Sequence, residues 1–251
     1  MSAAVALGQR SLREYMRSLD AIIPTLFIPI FFLVVNTGQA AKIFPSVSTP
    51  FLHGQGYGAF QLPTTLLLAS SFGAAALFLV EEIEGGYFDK LRATPIPRAA
   101  IVFGRLIAEG AKCVLISAVI LLLALPFGIS IASGVLGFVL LVLMAAGWGV
   151  VYSGFMQLIA LKTRSAAATQ SGGLIFFPLL FLTPNFVPRD MLTHPMEVAA
   201  TINPVTYLME ALRSLILQDL NWAKIWPGFA VIAGLGVVML WLNVRVIARY
   251  D

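Results

Sequence analysis

Residues 113–161 contain no Asp, Glu, Lys, Arg or His. That run is far longer than the about 20 residues one helical crossing of a bilayer uses. Lipid offers the backbone no hydrogen bonds, so such a run must satisfy its own amides, as a helix does. Pro126, Gly128 and the small residues up to Gly134 interrupt it. It therefore reads as two spans, residues 106–126 and 135–160.

The rest of the chain has the same character. Hydrophobic residues make up 59% and charged ones 11%, against about a quarter charged in soluble domains, so the expected class is an all-α integral membrane protein. Residues 21–37, 62–80, 166–182 and 225–244 supply four further spans, making six within one unit, 1–251. Pro24 and Pro29 should kink the first. Ser70, Ser71, Gly73 and the alanines 74–76 give the second a face small enough for close packing. Residues 1–20 set Arg10, Arg13 and Arg17 on one helical face and Leu12, Met16 and Leu19 on another, the pattern of an amphipathic helix lying on an anionic leaflet. The rival is a cleavable signal peptide with Gly38 and Ala40 at its cleavage site; the long, patterned stretch before the apolar run favours a retained span.

Cation placement predicts orientation. With both termini inside, Arg10, Arg13, Arg17, Lys90, Arg92, Arg98, Arg105, Lys112, Lys162, Arg164, Arg245 and Arg249 are cytoplasmic. Only Lys42, Arg189, Arg213 and Lys224 are then outside, as the positive-inside rule requires. Arg105, Glu109 and Lys112 are expected near the cytoplasmic surface, pairing with one another or snorkelling. The basic balance, net +4, is thus assigned to the membrane surface and not to nucleic acid.

Two polar islands carry the functional signal. In residues 81–98, Ile83, Tyr87 and Leu91 recur at helical spacing with Phe88 beside them, flanked by Glu82, Glu84, Asp89, Lys90 and Arg92. Gly85 and Gly86 weaken the start of that helix, and Pro95 and Pro97 stop it. Periodicity alone leaves a solvated loop equally open. In residues 184–218, Asn203 and Pro204 form an N-cap and first helical position. Val205, Leu208, Met209, Leu212, Leu215 and Ile216 then make an apolar stripe, predicting a short helix half-sunk at the outer interface.

The order Glu82, Glu84, Gly86, Leu91, Ala93, Pro95, Ile96, Arg98 resembles the cytoplasmic segment of ABC type-2 exporter permeases, with Tyr87 where that family has a small residue. Asn203, Pro204, Thr206, Tyr207, Glu210, Ala211, Leu212 and Arg213 are similar to the family's signature before its last span. The resemblance implies that residues 81–98 are a coupling helix docking on an ATPase, with Glu82, Ile83, Glu84, Tyr87, Phe88 and Leu91 in contact. It also implies that residues 184–218 form short extracellular re-entrant helices. The implied partners are two cytoplasmic ATPase subunits, which hold ATP and Mg, and a second permease copy or paralogue. The implied route lies along the first, second and fifth spans, which makes Phe72, Phe176 and Phe177 candidates for its wall.

Other chemistries lack their residues. Cys113 is the only cysteine, and His53 and His194 stand far apart, so no metal site is expected. No G-x-x-x-x-G-K-[ST], H-E-x-x-H or G-x-S-x-G occurs, so the chain is expected to bind no cofactor and to be no enzyme. His194, Arg189, Glu197 and Glu210 are explained by capping or surface pairing. The span interiors read as free of ionisable residues, unlike those of ion-coupled transporters, and no internal repeat is evident. The expected cargo is a hydrophobic or amphiphilic compound, a drug, natural product or lipid-linked molecule. Polysaccharide export and ATP-independent secondary transport are the alternatives.

Overall fold

A computed structural model describes residues 3–72, 75–94 and 96–249, apart from the side chains of Leu19, Ala75, Asp89 and Arg92. Gly73, Ala74 and Pro95 lie outside the described residues. The regular structure of the described residues is all helix, without strands. In order come α1 (Ala3–Arg17), α2 (Leu19–Ala40), α3 (Tyr57–Ser71), α4 (Ala75–Glu84), α5 (Tyr87–Arg92), α6 (Arg98–Ala124) and α7 (Gly134–Thr163). Then follow α8 (Ala166–Gly173), α9 (Phe176–Phe181), α10 (His194–Ile202), α11 (Pro204–Leu217) and α12 (Trp222–Ala248).

Among the described residues, five stretches are long and apolar enough to cross a bilayer: Asp20–Ala40, Tyr57–Glu84, Arg98–Phe127, Gly134–Thr163 and Trp222–Ala248. The first runs as one helix through Pro24 and Pro29. The expected span 166–182 is instead two short helices, α8 and α9, joined by a turn at Leu174 and Ile175. Pro178 explains the interruption: it has no N–H to offer the Leu174 carbonyl and its ring crowds that oxygen, while Gly172 and Gly173 weaken the turn before it.

The bundle is organised around α3, whose residues from Tyr57 to Ser70 are all buried. It packs on α2, α7, α11 and α6. Close approach to α6 and α7 depends on Gly149, where a Cβ would sit 2.3 Å from Cys113 Sγ and 3.3 Å from the Ser70 carbonyl. Trp148 Nε1 donates to Ser71 Oγ at 2.8 Å across the same contact. By contrast α2 exposes Ile23, Phe27, Phe31 and Val34 along one side, a stripe left for lipid or another chain.

The two ends of the bundle differ. At one end α1 lies against α6, and Arg98 at the start of α6 donates to the Ala248 carbonyl closing α12. At the other end the loops 41–56 and 128–133 and the segment 182–203, which contains α10, lie about α11. The apolar stripe of α11 faces the protein. Val205, Leu208, Met209, Leu212, Leu215 and Ile216 are all 0% exposed, because α3, α7 and α12 enclose them. Its terminal carbonyls are satisfied from neighbouring loops: Ala132 N–H donates to Ile216 O at 3.0 Å, Ser133 Oγ to Leu215 O at 2.5 Å and Gln55 Nε2 to Ile216 O at 2.9 Å.

Candidate functional site

The island 81–98 forms the end of α4, the short α5 and the turn leading into α6. Gly86 takes φ 69° between α4 and α5, a left-handed conformation that glycine adopts without steric cost. The apolar ridge turns inward. Phe88 is 1% exposed and Leu91 8%, while Ile83 and Tyr87 are half-buried. Glu81, Glu84, Lys90, Ala93, Thr94 and Arg98 remain exposed at the bundle end.

The acidic pair splits between these two environments. Glu84 faces solvent, but Glu82 is buried and bridges two arginines from different helices. Arg10 of α1 donates to Glu82 Oε1 at 2.8 Å, and Arg105 of α6 pairs with Glu82 Oε2. The Arg10 guanidinium also lies 4.2 Å from the centre of the Tyr87 ring, a favourable cation–π geometry. Helix α1 is therefore docked on the protein beside α5. Its backbone meets α6 at Gly8 and Gly104, where a Cβ on Gly104 would fall 2.9 Å from the Ala4 carbonyl. Sequence reasoning missed Arg10 and Arg105 here, since both lie far from Glu82 along the chain with no local pattern linking them.

Farther along α6 the expected pairing of ionisable residues is found, inside the bundle. Glu109 and Lys112 pair with each other at 3% side-chain exposure, so the helix interior is not free of charge as the sequence suggested. The structural role of Lys112 follows from α3. That helix ends at Phe72, whose extended backbone (ψ 94°) frees its carbonyl from the helical ladder. Lys112 Nζ donates to that oxygen at 3.3 Å and Thr25 Oγ1 at 3.4 Å.

Beside this break lies a groove of about 390 Å³, lined from α2 by Pro24 and Thr25, from the break by Phe72, and from α8 and α9 by Gln170, Phe176 and Phe177. The three phenylalanines singled out from sequence thus meet at one groove. Their situations differ: Phe72 and Phe177 are half-buried, with rings edge-to-face at 6.1 Å, whereas Phe176 is 2% exposed and packed on Trp148 and Tyr152.

The island 184–218 stands at the opposite end. Asn203 caps α11 by accepting from the Val205 N–H at 3.0 Å, with Pro204 in the first turn. Tyr207 donates to the Thr201 carbonyl at 2.9 Å, and Arg189 grips Glu210 with two bonds of 2.9 and 3.1 Å. Arg213 is buried over the face of Phe60, 3.5 Å from the ring centre. Its three bonds go to the carbonyls of Phe60, Pro184 and Asn185. Burial pulls its guanidinium below the ordinary arginine range to about 9, a fall that the Glu210 carboxylate opposes. Among the described residues no group of His, Cys, Asp and Glu could hold a metal ion.

A family model described as ABC-2 type transporter matches residues 3–217. The match includes α1, residues 81–98, the groove and residues 184–217. The chain is also 24% identical over 249 residues to the daunorubicin resistance ABC transporter permease protein of Streptomyces coeruleorubidus, covering 98% of this chain and 86% of that protein.

Proposed function

We propose that this chain, which belongs to the ABC-2 type transporter family, moves a hydrophobic or amphiphilic compound out across the cytoplasmic membrane. As a member it is an exporter permease, a multi-pass membrane subunit that pairs with an ABC ATPase and is not itself the enzyme. In the proposed arrangement two ATPase subunits, carrying ATP and Mg, act on two permease chains with all termini cytoplasmic. The α8–α9 pair serves as the remaining crossing, and residues 184–218 lie outside.

The observation carrying this reading is the division within residues 81–98. Phe88 and Leu91 anchor α5 in the bundle while Glu84 and Lys90 stay exposed beside it. A motor docked on that charged surface would move α5 with α4, and through Glu82 would also move α1 and α6. The groove at Phe72 sits where α4 joins α3, so a displaced α4 would change its shape. Its apolar aromatic wall suits an amphiphilic cargo, and the exposed stripe on α2 next to it suits a second permease.

The test is co-purification of the chain with its ATPase in detergent. Native protein is expected to hold the ATPase, and a variant with Glu84→Arg and Lys90→Glu to lose it while keeping its thermal stability, since both side chains are exposed. A native chain that retains no ATPase, or a variant that binds it undiminished, would overturn the docking surface.

A further inference from the structure

The end of the bundle opposite α1 contains a cavity of about 490 Å³ between α11, the start of α12 and the loops at residues 51–53 and 188–189. Its volume is that of a small-molecule site, typically about 300–1,000 Å³. Three cations reach its wall, Arg189, Arg213 and Lys224, against one carboxylate, Glu210. That carboxylate is held by Arg189. Among the described residues, the hydrogen bonds of Arg213, 8% exposed, go to carbonyl oxygens, and its guanidinium lies over the Phe60 ring. Carbonyls solvate a guanidinium without neutralising it, and a buried charge without a counter-charge is costly.

Next to Arg213, Ser214 also lines the cavity. It is 3% exposed, and its hydroxyl has no hydrogen-bond partner among the described residues. Lys224 is held at the rim by Gln218 at 3.1 Å, and Gln218 in turn bonds His53 at 2.8 Å. Phe51, Phe60 and Leu217 supply an apolar wall to the same space.

We propose that this cavity binds an anionic amphiphile, a molecule with one acidic head group on an apolar body. The head group meets Arg213, the Ser214 hydroxyl and Lys224, and the body lies on Phe51, Phe60 and Leu217. A neutral ligand would leave Arg213 with no counter-charge but the Glu210 carboxylate that Arg189 already holds, and a bare inorganic anion would leave the apolar wall wet. A phosphate-headed lipid and a fatty carboxylate share this chemistry.

The test uses the full chain in neutral maltoside detergent, without ATPase, so that its failure and that of the export reading are separate. Dioctanoyl phosphatidylglycerol and dodecanoate are titrated, with dioctanoyl phosphatidylcholine and inorganic phosphate as controls, and bound ligand is counted by native mass spectrometry. Saturable 1:1 binding of an anionic amphiphile is expected, about tenfold tighter than either control. Phosphatidylglycerol alone identifies the phosphate head, dodecanoate alone the carboxylate, and binding of both their shared recognition. Lys224→Gln with Ser214→Ala should weaken binding about tenfold; Lys224→Gln alone, an exposed change, gives the same direction if the double variant folds poorly. Equal affinity for phosphatidylcholine, phosphate binding as tight as the amphiphiles, no saturable binding, or unchanged binding in the variants each overturns the proposal.

Discussion

The buried charges of this protein are each tied to an opposite charge or to backbone carbonyls. Lys112 neutralises Glu109 and covers the carbonyl that the break at Phe72 exposes. Removing one partner of such a pair leaves the other buried and uncompensated. Lys112→Met is thus expected to cost about 3–5 kcal/mol, and Lys112→Met with Glu109→Leu much less; thermal unfolding of both variants in detergent checks this, and equal losses would mean the pair is not coupled. Glu82 follows the same logic with two arginines. Glu82→Gln removes the counter-charge that Arg105, 5% exposed, and Arg10 share, and should destabilise by more than about 1 kcal/mol. Arg10→Ala, whose side chain is 40% exposed, should cost under about 1 kcal/mol. Near-identical melting of the Glu82 and Arg10 variants would contradict this ranking.

Among the elements, α1 and α5 show how far periodicity carries. The basic face and the apolar face of α1 were legible, and so was the ridge of α5. What each face meets was not. The backbone contact at Gly8 and Gly104 joins residues too far apart in sequence for a spacing rule to connect. Gly104→Leu is expected to lift α1 from α6 with a loss of about 1–3 kcal/mol from overpacking. The measurement is proteolysis near Arg13 and Arg17, which should quicken several-fold. Unchanged cleavage would show that α1 holds its place by other contacts. Helix α11 teaches the converse lesson. Its cap at Asn203 and its apolar stripe were both readable, but a stripe looks the same whether it faces lipid or protein. Burial of Thr206 and Ser214 on the remaining faces is what assigns it to the protein interior.

Across the whole molecule, residues 182–222 stand at the same end of the bundle as residues 41–56, since Tyr57 donates to the Phe186 carbonyl and Gln55 to that of Ile216, so the α8–α9 pair carries the chain between the two ends of the bundle. If that pair crosses, as the export reading requires, cysteines placed at Val47, Phe186 and Trp222 should all be modified by an impermeant thiol reagent from outside intact cells. Cysteines at Thr163 and Arg249 should be protected. Cys113 is buried and should give little background. Labelling of Val47 without Phe186 would show that α8 and α9 enter and leave on one side. Composition and run length alone determined the class, the helical content and the long spans, because a bilayer imposes one solution on an uncharged backbone. Local rules sufficed for caps and for glycine and proline interruptions, since these act within a turn. Only the tertiary structure decided which charges are buried, that Glu82 joins α1 to α6, and that Phe72, Phe176 and Phe177 share a groove. Those facts depend on contacts between residues distant along the chain, and an apolar pattern specifies that a face is buried without specifying against what.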